Sequence, residues 1–301
     1  MADKNVVITG AGGFVAGGVV LQAPGHWTAH AVSRGPAPVA RPGLVWHTVD
    51  AGAPGRLAAA IRDLRPDAVI HTVANPNIDY CETHRDEVVW VNVELAREVA
   101  GAAEAVGAKL VHCSTDNVFD GARGMYREDD DPGPVNFYGL TKLRAEEAVL
   151  AECPGAVIAR VAIVMGLPLL GKGAPFLVRM ANAVAEGRKI VTPSNEVRTP
   201  VDLISLGRAL IELAENDFAG VIHLGGSQRI DRVGMMRLIA PRMGVDPALV
   251  EPGPADNLPA PRPPDCSLDN MLAQRVLKTS LPGILGGLER VLAFRDGRPE
   301  R

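Results

Sequence analysis

A chain of 301 residues with 47% apolar content can bury one large core or two lobes. Its formal net charge of -4, without blocks of lysine or arginine, argues against a nucleic-acid partner. No apolar run approaches the roughly 18 residues that a membrane span needs, and the separated Cys81, Cys113, Cys153 and Cys266 lack zinc-like spacing, so a cytoplasmic protein with free thiols and no metal is expected.

In chain order, residues 5–9 read as a short apolar strand, followed by a glycine-rich turn and a helix to about residue 21. Further strands are expected near residues 28–33, 44–49, 68–73, 109–113 and 156–161, with helices near 56–64, 86–106 and 137–151. This alternation predicts an α/β fold, a doubly wound parallel (Rossmann) sheet with a smaller C-terminal substrate-binding lobe. After Gly166 the rhythm breaks: helices are expected at 176–186 and 203–214, a strand at 221–224, and a closing helix at 283–294. Six prolines within residues 251–264 predict an ordered irregular loop or lid. Residues 1–165 are therefore assigned to dinucleotide binding, with 195–225 returning to that body, and 166–194 and 226–301 to the lobe.

The stretch from Thr9 to Ala16 (TGAGGFVA) lies where a strand gives way to a helix, the context a pyrophosphate turn requires. Gly10 permits the tight turn, Gly13 lets the backbone approach phosphates, and Phe14 and Val15 begin the helix. A site for NAD ordinarily carries a carboxylate at the end of the second strand, but no acidic residue lies between Asp3 and Asp50. Ser33 and Arg34 stand at that place, and a guanidinium suits a 2′-phosphate, so NADP(H) is expected in preference to NAD. Asp50, after the third strand, is a candidate adenine contact.

Ser114 and Thr115 follow the strand at 109–113, placing hydroxyls at the carboxyl edge of the sheet, where open α/β folds bind ligands. Position alone does not separate the two. Tyr138 and Lys142 are four residues apart, hence on one helix face. A nearby ammonium together with a cationic oxidised cofactor is expected to draw the phenol pKa down by ~2–3 units from about 10, making a proton donor for a carbonyl undergoing reduction. Other signals point elsewhere. The phosphate-loop look-alike at 166–172 lacks the following Ser/Thr, the acidic run at 128–131 reads as a solvated loop, and His71, His84 and His112 read as structural.

Taken together, these motifs resemble the extended short-chain dehydrogenase/reductases and, within them, the dTDP-4-dehydrorhamnose reductase family. The resemblance rests on the turn at 9–14, on 66–71, 78–82 and 91–93, and above all on STDNVFDG at 114–121 and PVNFYGLTK at 134–142, with weaker echoes at 198–203 and 266–269. It implies Thr115, Tyr138 and Lys142 as the catalytic set, with Tyr138, Lys142, Ala74 and Asn92 also at the cofactor. It also implies a nucleotide-linked 4-keto-6-deoxysugar as substrate, and a homodimer through helices near 86–106 and 137–151. Asn75, Asn77, Asn117, Ile163, Arg198 and Arg262 are the expected substrate contacts, the two arginines as grips for a diphosphate. Asp116-Asn117 lacks the glutamate of the related dehydratases, while Ile163 and residues 75–77 depart from the rhamnose pattern and fit a different keto-sugar or another carbonyl. Two other readings are a regulatory subunit resembling the methionine adenosyltransferase β subunit, and a sugar-nucleotide epimerase.

Overall fold

The computed structural model describes residues 3–170, 176–253 and 259–299. A seven-stranded, wholly parallel sheet forms its centre, built from β1 (Lys4–Thr9), β2 (Trp27–Ser33), β3 (Leu44–Thr48), β4 (Ala68–His71), β5 (Lys109–Thr115), β6 (Val157–Val161) and β11 (Gly220–Leu224). The spatial order is β11-β6-β5-β4-β1-β2-β3, so the chain reverses direction of travel between β1 and β4 and leaves a crevice at the carboxyl ends of the strands. Val6, Val7 and Ile8 are all buried because helices cover both faces; the central strands read as apolar runs and not as alternating patterns.

One face carries α1 (Phe14–Gln22) and α8 (Leu203–Glu215); the other carries α2 (Arg56–Leu64), α5 (Leu95–Val106) and α6 (Phe137–Glu152). A third apolar cluster joins α7 (Phe176–Ala185), α9 (Arg232–Ile239) and α11 (Ile284–Arg295) around Met165, Leu177, Met235 and Leu288. Short ladders accompany it. β7 (Val164–Met165) pairs with β10 (Val201–Asp202), β9 (Val197–Arg198) with β12 (Ile230–Asp231), and β8 (Ile190–Pro193) with β13 (Val250–Gly253). Side-chain caps start the key helices: Asn136 accepts from Gly139 N at 2.8 Å for α6, Asp202 from Ser205 N at 2.8 Å for α8, and Asp231 from Gly234 N at 2.9 Å for α9.

Several expectations need correction. The helix expected at 86–106 is α4 (Arg85–Val89), a wide π turn at Trp90–Glu94, and then α5; the extra residue in that turn swings Asn92 inward. A further helix, α3 (Ile78–Thr83), precedes it, begun by an Asn77 side chain that accepts Tyr80 N at 3.1 Å. β5 runs two residues past its expected end and takes in Ser114 and Thr115. Val250–Gly253 is a strand despite Pro252, which a two-stranded edge ladder tolerates. Residues 226–301 are not all lobe: α10 (Met271–Val276) packs on β11, and Ala273, Leu277 and Leu281 join the core around α1 and α8. Residues 171–172 of the phosphate-loop look-alike, with Gly173 after it, and 254–258 of the proline-rich loop lie outside the described residues; 259–264 is irregular, as expected.

The seating of α6 positions the site. A Cβ on Gly139 would collide with the Asn117 carbonyl oxygen and come within 2.9 Å of Pro134 Cβ, so the first turn of α6 lies directly on the segment after β5. Gly139→Ala should therefore destabilise by about 1–3 kcal/mol through overpacking, although alanine gains ~1 kcal/mol of helix propensity. Gly101→Ala in α5, whose Cβ would meet only Glu152 Oε2 at 3.6 Å, should instead stabilise. Urea midpoints check both signs; equal shifts would refute the contact.

Candidate active site

The turn after β1 is shaped as the sequence suggests. Gly10 has φ +70°, in the left-handed region, and a Cβ there would meet Thr72 Oγ1 at 2.9 Å. Ala11 N donates to Val32 O at 3.0 Å, tying the turn to β2, and no acidic residue occupies the first turn of α1. Above it opens a cleft of about 850 Å³ lined by Gly10, Gly13, Ser33, Arg34, Ala74 and Asn75, among others.

Phe14, Val15, Asp50, Asn92, Tyr138 and Lys142 do not line the cleft. Val15 packs into the core, Phe14 approaches Gly166, and the exposed Asp50 accepts Gly52 N at 3.0 Å, while its neighbours Val49 and Ala51 form the cleft wall. Asn92 braces that wall from behind: its Oδ1 accepts Asn75 N at 2.8 Å and its Nδ2 donates to Thr141 Oγ1 at 3.0 Å. Thr72 and Trp46 also line the cleft and were missed. Thr72 could have been found as the residue just beyond the carboxyl end of β4, whereas nothing local singled out Trp46.

At the carboxyl end of β5 the structure separates the two hydroxyls that position left open. Ser114 donates to Glu146, which Arg160 grips from Nε at 3.1 Å and Nη2 at 2.8 Å, so Ser114 belongs to a buried ion pair. Thr115 Oγ1 instead accepts Asn117 N at 3.2 Å and donates to Asp116 Oδ1 at 3.2 Å, and it lies close enough to the Tyr138 phenol to lower its pKa. Tyr138 and Lys142 are both buried. Lys142 Nζ donates to Cys113 O at 2.7 Å and to His112 Nε2 at 3.1 Å.

In the protein alone, the phenol shifts upward. Burial pushes the Tyr138 pKa well above the ordinary tyrosine value; the nearby Thr115 hydroxyl opposes this and the Asp116 charge adds to it. Burial likewise draws Lys142 down to about 8, with Cys113 and Glu146 acting in the other direction. Desolvation is the largest of these influences on the phenol, which holds its proton at neutral pH.

Both expected diphosphate grips need correction, because their guanidiniums are engaged. Arg198 is buried, with Nε 3.4 Å from Asp116 Oδ2, and it donates to the Pro263 and Pro264 carbonyls at 3.0 and 3.2 Å. Arg262 donates to Asp79 Oδ2 and Ala260 O, each at 2.9 Å. They strap the proline-rich segment onto α3 and the residues after β5. Asn75 Oδ1 accepts Asn77 N at 3.2 Å, and Asn117 Nδ2 donates to Asp116 Oδ1 at 2.8 Å. Ile163 packs against the cluster of α7, α9 and α11. No group of three or more potential metal ligands occurs among the described residues, and no described helix is long and apolar enough to cross a membrane.

The family model described as the RmlD substrate binding domain matches residues 4–294. The chain belongs to that family. This is the dTDP-4-dehydrorhamnose reductase family of extended short-chain dehydrogenases, an oxidoreductase family. The chain is 32% identical to a dTDP-4-dehydrorhamnose reductase of Mycobacterium tuberculosis over 87% of its length and 83% of the relative's. It is 30% identical to the bovine methionine adenosyltransferase 2 subunit beta, over 79% of its length and 72% of that protein's. A dTDP-4-dehydrorhamnose reductase of Bacillus anthracis, solved in complex with NADP, shares the fold with a TM-score of 0.85 at 23% identity, over 98% of this chain and all of that one.

The position of Lys142 in this family fold gives a test by pH. Its folded pKa of about 8 lies below the 10.5 of an unperturbed lysine, so between those values the unfolded chain binds more protons and stability rises with pH. Relative to Lys142→Met, the wild type should gain about 3 kcal/mol over that window. Urea midpoints of both proteins from pH 7 to pH 10 check this; a gap that stays constant or moves against the wild type would refute the burial cost.

Proposed function

We propose that the protein is an NADPH-dependent reductase of a nucleotide-linked 4-keto-6-deoxysugar. The observation that carries this reading is the nearness of Thr115 and Tyr138 at the carboxyl edge of β5, with Lys142 one turn along α6 and that helix tied through Asn92 to the cleft-lining Asn75. The cleft fits a dinucleotide: Gly10 leaves no Cβ in the way, the α1 N-terminus is free of carboxylates, and Arg34 stands where a ribose-binding acid would otherwise be. Gly10, Gly13, Ser33, Arg34, Ala74 and Lys142 would hold NADPH, which when bound supplies the hydride. The Bacillus anthracis reductase of the same fold, solved with NADP, supports that choice.

In this reading Thr115 orients the ketone oxygen and Tyr138 delivers its proton as negative charge develops there. The raised phenol pKa keeps the donor protonated at working pH, and the Lys142 ammonium stabilises the phenolate left behind. The Asp116-Asn117 pair, without a glutamate, supports reduction over dehydration. Asn75, Asn77, Asn117 and Ile163 remain the proposed sugar contacts, in a lobe formed around α7, α9 and α11. We place the enzyme in the cytoplasm, consistent with its four free thiols, as a homodimer. The half-buried apolar Val89, Trp90 and Leu140 on α4, the π turn and α6 support that association, and light scattering should return twice the 31.7 kDa chain mass.

Oxidation of NADPH against a panel of nucleotide-linked 4-keto sugars tests the function. Tyr138→Phe should leave the NADPH Kd within about twofold and lower kcat by about 10³ or more, and Thr115→Val should lower it by about 10². Ser114→Ala should retain most activity. NADPH should be preferred to NADH. Near-normal turnover by Tyr138→Phe would overturn the mechanism. The 30% identity to the methionine adenosyltransferase β subunit supports a second reading, as a regulatory subunit. Co-purification with a larger enzyme and no keto-sugar turnover would favour it, whereas retained nucleotide without net NADPH consumption would favour an epimerase.

A further inference from the structure

Between β2 and β3 the chain crosses residues 34–43, and among the described residues no backbone-to-backbone hydrogen bond involves 34–40. Pro36 and Pro38 have no N–H to give. A loop so poorly tied depends on side-chain bonds, and these converge on one atom, the Gly35 carbonyl oxygen. Trp46 Nε1 donates to it at 2.9 Å, Ser33 Oγ at 3.1 Å and Thr48 Oγ1 at 3.5 Å. The strand register explains the convergence. Ser33 lies opposite Thr48 and Ala31 opposite Trp46, so all three donors stand on one face of the β2–β3 pair.

The three donors are not equivalent. Ser33 Oγ also accepts Gly35 N at 3.2 Å, so its bonds close a local turn of two residues. Thr48 is exposed and reaches the carbonyl only at the limit of hydrogen-bonding distance. Trp46 makes the shortest bond, from a half-buried indole packed against the apolar cluster of α1 and α8, eleven residues along the chain. That bond ties the loop most firmly to the sheet. What the loop carries is Arg34, held between Ser33 at the end of β2 and the clamped Gly35. Arg34, Gly35, Pro36, Pro38 and Trp46 all line the cleft, so the clamp is part of the cofactor site. An exposed guanidinium gains from a fixed backbone, because ordering a loop at the moment of binding costs affinity.

We propose that Trp46 is a positioning residue for the choice of NADP over NAD: its indole N–H holds the Gly35 carbonyl and so presents Arg34 to the 2′-phosphate. This role rests on the NADP reading above and is independent of which keto-sugar is reduced. Calorimetric titration with NADPH and with NADH tests it, on the wild type, Trp46→Phe, Arg34→Gln and the double variant. Phenylalanine keeps an aromatic ring on the cleft wall and removes the N–H. Trp46→Phe should bind NADPH about fivefold more weakly, the size of one net hydrogen bond. Its NADH affinity should stay within about twofold, which also establishes that the variant folds. Arg34→Gln should weaken NADPH by about tenfold or more. Added to Arg34→Gln, Trp46→Phe should change NADPH affinity by less than about twofold, because the indole acts through the guanidinium. Unchanged NADPH affinity in Trp46→Phe, equal losses of NADPH and NADH, or losses that multiply in the double variant would overturn the assignment and leave Arg34 selective by itself. A wild type that binds NADH as tightly as NADPH, or NADPH affinity unaltered by Arg34→Gln, would sink the NADP reading and the role of Trp46 with it.

Discussion

The first turn of α6 lies on the segment following β5, and the site depends on that contact. Gly139 brings the helix against the Asn117 carbonyl, and Asn136 both caps the helix and donates from Nδ2 to Pro261 O at 3.1 Å. Phe137 N donates to Glu82 Oε1 at 2.7 Å, which ties the same turn to α3. Three chain segments distant in sequence thus converge on the residue before Gly139, which is Tyr138. A phenol so placed lies by the end of β5, beside Thr115.

Burying so much polar chemistry at one sheet edge requires every charge to have a designated partner, and the partners divide the site into functional and structural halves. Glu146, Arg160 and Ser114 form one closed set, with Arg160 also stacked 5.1 Å over Phe119. Asp116, Arg198 and the carbonyls of the proline-rich segment form another. Both sets hold the loops that flank the site.

Much of this was legible in the sequence, and the parts that were not have specific causes. The Tyr138–Lys142 spacing, the glycine turn and the parallel sheet follow from local periodicity and from Gly10's left-handed backbone, all encoded within short windows. The choice between Ser114 and Thr115 was not, because it turns on where β5 ends and on Glu146, thirty-two residues away. The commitment of Arg198 was hidden for the same reason: its acceptors lie sixty-five and sixty-six residues further on. The upward phenol shift in the protein alone was hidden because helical spacing reveals the neighbouring charge but not the depth of burial, and here desolvation is the largest effect. The interrupted helix at 85–106 kept its apolar pattern across the π turn, so periodicity alone could not reveal the one-residue insertion that turns Asn92 inward.

The surroundings of Lys142 show how its charge is kept available. Glu146 sits one turn further along α6, the spacing at which a lysine and a glutamate ordinarily pair on a helix. Arg160 and Ser114 occupy that carboxylate, so the ammonium rests on two neutral acceptors, Cys113 O and His112 Nε2. His112 stays uncharged because burial and then the Lys142 charge hold its pKa well below the ordinary histidine value, which puts its proton on Nδ1. His71 stacks against it at 5.4 Å and is held neutral near pKa 3 by the same two causes, while bonding Thr9 Oγ1 at 2.8 Å. The two imidazoles lie opposite each other on β4 and β5, so the strand register itself supplies the polar, chargeless floor. A carboxylate in that position would offset the lysine's charge and raise its pKa; neutral rings leave that charge uncompensated.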